Sequence, residues 1–343
     1  VTATVAVGVG PIGIAVTPDG RFAYVANFRS QSVSVIRTSS HTIERTIPVD
    51  GSCTNVAITP DGSRVYVTNP SPGTVSVIST STQAAAGTIW VGDSPAGIVI
   101  LPDGSRAFVT NFGANTLSVI DTSLNAVRAA IVLDTLSAEG PRGIALGPRG
   151  DTAYVTTVFS HSVVVVGTRT LGARDLFFVS RGVPEAIAIS RDGSLAYVAN
   201  SETDSLFVYD TESNSLVNGI PVGHLPGALA FTPDGTSLYV ANFGSDDVTI
   251  VPATAHPVTS TIRVGSGPMG VAIATVPEPC PGDCDDDGHV VIGELLVGVG
   301  IVLGDRPLSA CGTMDARADG AVTIDELILA AGNALNGCFG QVP

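Results

Sequence analysis

With 343 residues, 44% of them apolar and only 14% charged, the chain carries enough apolar side chains for a large core and too few charges to remain disordered. Its formal net charge is −15 and all 16 basic residues are arginines, which removes lysine-dependent chemistry such as Schiff-base formation and P-loop phosphate binding. An acidic chain with scattered arginines lacks the basic footprint of a nucleic-acid binder, and no uncharged apolar run reaches the roughly 18 residues of a membrane span.

From Pro11 one phrase recurs: P-x-G-[IV]-A-[IV]-x-P-D-G, then Y-V-[AT]-N, then V-S-V-I, then T-I-x-V-G. Its turn glycine falls at Gly20, Gly62, Gly104, Gly150, Gly193 and Gly235, spaced by 42, 42, 46, 43 and 42 residues. Each repeat holds four short β-branched or aromatic runs bounded by turn-formers, as in Gly13-Ile14-Ala15-Val16, Ala23-Tyr24-Val25-Ala26 and Val33-Ser34-Val35-Ile36. In Pro-Asp-Gly, Pro presets φ and Gly is free to take φ > 0. A period of about 40–50 residues with four strands predicts a propeller blade. Residues 2–7 read as the fourth strand of a further blade and residues 269–274 as a first strand. The expected fold is therefore mainly β, a seven-bladed type of propeller with six complete four-stranded blades and a partial seventh. The sequence starts at Val1 with no initiator Met, so either a signal peptide has been removed or the sequence is a fragment; the repeat count favours the second and predicts a natural start about 25–30 residues earlier.

Tyr24-Val25-Ala26-Asn27, Tyr66-Val67-Thr68-Asn69, Phe108-Val109-Thr110-Asn111, Tyr197-Val198-Ala199-Asn200 and Tyr239-Val240-Ala241-Asn242 carry a resemblance to the YVTN family of β-propeller repeats over residues 1–276. The resemblance implies the fold and leaves the activity open, since relatives include surface-layer proteins, lactonase-like enzymes and electron-transfer domains.

Function is sought where the blades differ. The repeated Asn reads as a structural group at a strand end. The residue inside P-x-G, expected at the mouth of a central channel, varies: Ile12, Thr54, Ala96, Arg142, Glu185, Gly227 and Met269. Arg142 and Glu185 fall on adjacent blades and are candidate ligand-binding residues, or simply an ion pair. The fourth repeat has a preceding loop four residues longer, with Asp134 and Glu139, replaces Asn by Thr157, and carries Phe159 and His161. His161 is a third candidate ligand-binding residue, although Gln31, Asn115 and Asp204 stand at its position in other repeats. His41, His224 and His256 are scattered, and no nucleophile–base–acid set recurs, so no catalytic residue is assigned.

Glu278-Pro279 and Pro281 mark a linker over residues 277–282, followed by a small module over 283–338 and a tail over 339–343. Residues 280–343 hold ten Asp or Glu against two Arg, and four of the five cysteines (Cys280, Cys284, Cys311, Cys338). Asp283, Asp285 and Asp287 stand at positions 1, 3 and 5 of a twelve-residue loop, with Gly288 at 6, the His289 carbonyl at 7 and Glu294 at 12, an oxygen set that suits Ca²⁺. A second loop offers Asp315, Asp319, the Ala321 carbonyl and Glu326, but has Arg317 where a ligand oxygen belongs. Helical apolar spacing follows each loop: Ile292, Leu295, Leu296, Val299 and Val302, then Ile324, Leu327, Ile328, Ala331 and Leu335. Loop-then-helix twice over resembles the dockerin module and its EF-hand-like relatives across residues 280–338. The departures are the four cysteines, Glu at the closing position, and Arg317.

Four clustered cysteines imply disulfides in an oxidising compartment; three pairings are possible, with Cys280–Cys338 and Cys284–Cys311 preferred. Cys53 is left as a buried thiol. A module of about 60 residues needs both staples and metal to stay folded. The expectation is a secreted or cell-surface, calcium-binding, non-catalytic binding or scaffold protein. Its ligand would be a protein or a cell-surface carbohydrate, with no nucleic acid and no membrane span. The alternatives are a lactonase-like or lyase-like enzyme with its site at the channel mouth, and dockerin-type assembly onto a cohesin-like partner.

Overall fold

The computed structural model describes residues 1–133, 138–179, 182–253, 260–275, 282–284, 290, 292–303, 306–318 and 321–336. The chain forms two compact units, Val1–Thr275 and Val276–Pro343.

The first unit consists of six four-stranded antiparallel meanders. In the first blade Pro11–Val16 (β1) pairs with Phe22–Asn27 (β2), then follow Ser32–Arg37 (β3) and Thr42–Pro48 (β4). The other five blades occupy residues 56–90, 95–132, 141–178, 184–221 and 226–263 in the same order. The Y-V-[AT]-N strand is buried almost throughout because sheet neighbours lie on both sides and, in the second to fifth blades, another blade lies on each face. The outer strand is exposed apart from one residue per blade: Ile47, Ile89, Ile131, Phe177 and Ile220. Ile47 packs with Val65, Val67 and Ile78 of the second blade, so the apolar residue of T-I-x-V-G closes the layer between successive blades. Five such apolar layers join the six blades. Ile262, the equivalent residue of blade six, is 37% exposed, against 2% for Ile47.

The turn chemistry behaves as the tripeptide predicts. Gly20, Gly62 and their four equivalents have φ between 67° and 80°. The turn aspartate accepts the backbone N–H two residues on, as from Ser63 to Asp61 at 3.0 Å. The P-x-G glycines serve a different need, a close approach of neighbouring inner strands. A Cβ on Gly13 would stand 2.5 Å from the Thr54 carbonyl oxygen, and one on Gly97 2.5 Å from that of Arg142.

The six blades are as expected, but the two flanking segments are not strands. Residues 2–7 and 269–274 carry no sheet pairing, because among the described residues neither has a neighbouring strand to form a ladder with. Residues 8–10 instead dock on the β2–β3 turn, where Gly10 O accepts the Phe28 N–H at 2.8 Å.

Among its described residues the second unit holds two helices, Ile292–Val302 (α1) and Ile324–Asn336 (α2), with short 3₁₀ turns at Leu308–Ala310 and Gly312–Met314 between them. A disulfide joins Cys284 to Cys311, beside a core of Met314, Val322 and Ala330 packed by Leu295, Val297, Ile301 and Leu327. Cys280 and Cys338 lie outside the described residues. The expected apolar stripes need correction: Leu296, Val299, Ile324 and Ile328 are exposed. α1 is apolar on every side, so spacing alone does not say which side meets the core. None of the helices among the described residues is long and apolar enough to cross a membrane.

Candidate functional site

The inner strands surround a cavity of about 750 Å³, within the range of small-molecule sites. All seven P-x-G positions line it, from Ile12 to Met269. Among the described residues its titratable lining consists of Arg142 and Glu185. Arg142 Nη1 meets Glu185 Oε2 at 2.7 Å, with the arginine half exposed and the glutamate mostly buried. The Ser201 hydroxyl donates to Glu185 Oε1 at 3.4 Å. The backbone beneath this pair is fixed from the preceding blades. Thr110 Oγ1 takes the Gly97 N–H at 2.7 Å and donates to the Arg142 carbonyl at 2.8 Å. Thr68 does the same for the Ala96 carbonyl at 2.9 Å. The threonine of Y-V-T-N thus ties the inner strand of its own blade to that of the next.

Sequence reasoning placed Arg142 and Glu185 at the mouth but missed its apolar flank. Phe112, Phe243 and Leu225 line the cavity, and Phe112 packs on Phe159 with ring centroids 5.3 Å apart. The signal was present: the residue after the strand-end Asn varies among Phe28, Pro70, Phe112, Ser201 and Phe243, and four of these five line the cavity.

His161 is not among the lining residues. It occupies the left-handed position of a strand 2–3 turn, φ 49°, as do Gln31, Asn115, Asp204 and Asp246. Its Nδ1 lies 2.7 Å from the Gly182 carbonyl, which can only accept, so Nδ1 carries the proton. Asn115 and Asp246 likewise bind the backbone N–H of Gly140 and Gly267. In blades three to six the position clamps the turn to the next inter-blade loop. The repeated Asn is equally structural: Asn27 Nδ2 donates to Ser34 at 2.9 Å and Asn69 Nδ2 to Ser76 at 2.9 Å, all within buried strand ends. Thr157 substitutes by bonding Ser162. Asp134 and His256 lie outside the described residues. Cys53 is fully buried, its Sγ 3.3 Å from the Ser32 carbonyl, and burial raises its thiol pKa.

In the second unit the first loop is described only at its ends; Asp285, Asp287 and His289 lie outside the described residues. Asp283 and Glu294 are both buried, and the Cys284 N–H donates to Glu294 Oε1 at 2.6 Å. In the second loop Asp319 lies outside the described residues, Asp315 is half-buried and Ala321 exposed. Glu326 is 3% exposed, and the N–H of Thr323 leads the hydrogen bonds that hold its carboxyl down at about 2. No group of three or more His, Cys, Asp or Glu converges among the described residues.

A β-propeller with a ligand-sized axial cavity, followed by a small disulfide-stapled helical unit, is the class of protein these features define. Residues 94–256, a little under half of the chain, match the family described as lactonase, 7-bladed beta-propeller. Among solved structures the chain is similar to Kuenenia stuttgartiensis hydrazine synthase, with 23% identity and TM-score 0.71 over 78% of this chain and 91% of that one. It is also similar to a functionally unknown protein from Desulfotomaculum acetoxidans, with 19% identity and TM-score 0.68 over 79% and 91%. At these identities the likeness is one of fold. No curated protein sequence is significantly similar to the chain.

Proposed function

We propose that this is a secreted or cell-surface binding protein that takes a small, polar, uncharged ligand such as a sugar residue in the axial cavity, while Ca²⁺ in the first C-terminal loop stabilises the second unit. The observation that carries the reading is the direct Arg142–Glu185 contact at 2.7 Å, between the two titratable groups among the described lining residues. A guanidinium and a carboxylate held side by side present donors and an acceptor to neighbouring hydroxyls and add no net charge. Phe112, Phe243 and Met269 supply apolar surface for the C–H face of such a ligand.

Calcium is supported by the spacing of oxygen donors from Asp283 to Glu294, the two ends of which are buried carboxylates. A disulfide in the same unit agrees with an oxidising compartment.

A lactonase-like activity is the second reading, favoured by the family match, because residues 94–256 include both Arg142 and Glu185. One assay separates the two. Purified protein is incubated with γ- and δ-lactones while acid release is followed, and binding of methyl glycosides is followed by ligand-observed NMR. Glycoside binding lost in R142A, without lactone turnover, is expected. Turnover that disappears in E185Q would transfer the conclusion to the enzyme.

A further inference from the structure

The second loop of the tail is closed from within. Arg317 occupies its third position. The Arg317 backbone N–H donates to Glu326 Oε1 at 3.2 Å, and its Nε lies 3.5 Å from the same oxygen. Its Nη2 donates to Thr323 Oγ1 at 2.6 Å. Thr323 in turn gives its N–H and its hydroxyl to Glu326 Oε2, at 2.7 and 2.9 Å. Positions 3, 9 and 12, which in a calcium loop turn toward one ion, are here bonded to one another.

Glu326 is buried, so its carboxylate requires a partner, and both of its oxygens already have one. The guanidinium reaches two of the side chains that would otherwise face the metal, and brings a like charge to where Ca²⁺ would sit. The donor set of this loop therefore does not fit calcium.

We infer that Arg317 is the resident cation of the second loop, taking the place of Ca²⁺ as the partner of Glu326, so that this loop folds without metal. Arginine suits the task because its planar fork can serve two acceptors at once and never loses its charge. The contrast with the first loop rests on the calcium reading proposed above, but the closure itself does not.

The test is calorimetric titration of the full chain with CaCl₂. Wild type is expected to bind one ion, E294Q none, and R317D two, because aspartate removes the internal cation and restores a third-position oxygen. R317N serves as the second variant should R317D fold poorly. Two ions in wild type, one ion retained in E294Q, or no added site in either Arg317 variant would overturn the inference. Should wild type bind no calcium, the reading of the first loop fails, and one ion gained by R317D would still uphold the closure of the second.

Discussion

Gly270 lies against the carbonyl of Ile12, where a Cβ would stand 2.2 Å from the oxygen. The same approach recurs at Gly13 on Thr54, Gly97 on Arg142 and Gly143 on Glu185, at 2.5, 2.5 and 2.7 Å. The segment around Gly270 therefore occupies a seventh inner position, between blade six and blade one, although it pairs with no strand. Replacing Gly270 by Val should force backbone apart at this junction. Overpacking costs about 1–3 kcal/mol, and at about 2–4 °C per kcal/mol the propeller melting temperature should fall by several degrees. Gly227→Ala is the control, since nothing lies within 4 Å of a Cβ there. Equal melting temperatures for the two variants would show that the inner ring does not close at Gly270.

Thr110 takes the Gly97 N–H within blade three and donates to the Arg142 carbonyl of blade four, so its hydroxyl couples the two blades. Thr110→Val keeps the shape and removes both hydrogen bonds, leaving two backbone groups unpaired at a cost of about 1–3 kcal/mol. Chemical denaturation should register the loss, and glycoside affinity should weaken as the Arg142 backbone loosens. Unchanged stability would mean that water replaces the hydroxyl.

The blades were legible in the sequence because each strand is short, self-similar and punctuated by Pro-Asp-Gly, so local chemistry and global fold agree. The channel mouth was legible for the same reason, since a fixed position in each repeat maps to a fixed height on the axis. What escaped depends on contacts distant in sequence. That residues 269–274 reach the ring without becoming a strand follows from the lack of pairing neighbours. That His161 faces a loop follows from its left-handed φ, which no composition reveals. The exposed Leu296 escaped because α1, apolar on several sides, has no unique stripe.

The turn aspartates should contribute to the acid sensitivity of the propeller. Hydrogen bonds from neighbouring hydroxyls and N–H groups lower the pKa of Asp61, Asp103, Asp192 and Asp234. A folded pKa below the unfolded value means stability that is present above about pH 4 and lost as pH falls through the folded value. Urea midpoints should hold steady from neutral pH to about 5 and drop below about 4. The double variant D61N/D103N keeps turn acceptors that do not titrate, and should flatten that decline. An acid limb identical in the variant would place the cause elsewhere.

The Cys284–Cys311 bridge links the start of the first loop to the 3₁₀ segment ahead of the second, across 27 residues. Both cysteines pack on the small core of Met314, Val322 and Ala330, which has little apolar area to offer. Closing a chain segment of this length contributes about 3–4 kcal/mol through the unfolded state. For a unit of this size that is a large share of the total. The variant C284A/C311A should therefore lose hydrogen-exchange protection in α1 and α2 while inner-strand amides of the propeller keep theirs. Added calcium should return part of that protection if the first loop still assembles around Asp283 and Glu294. Protection in α1 and α2 that is unaffected by removing the bridge would show that the apolar core alone suffices. The need for staple and metal together would then be refuted.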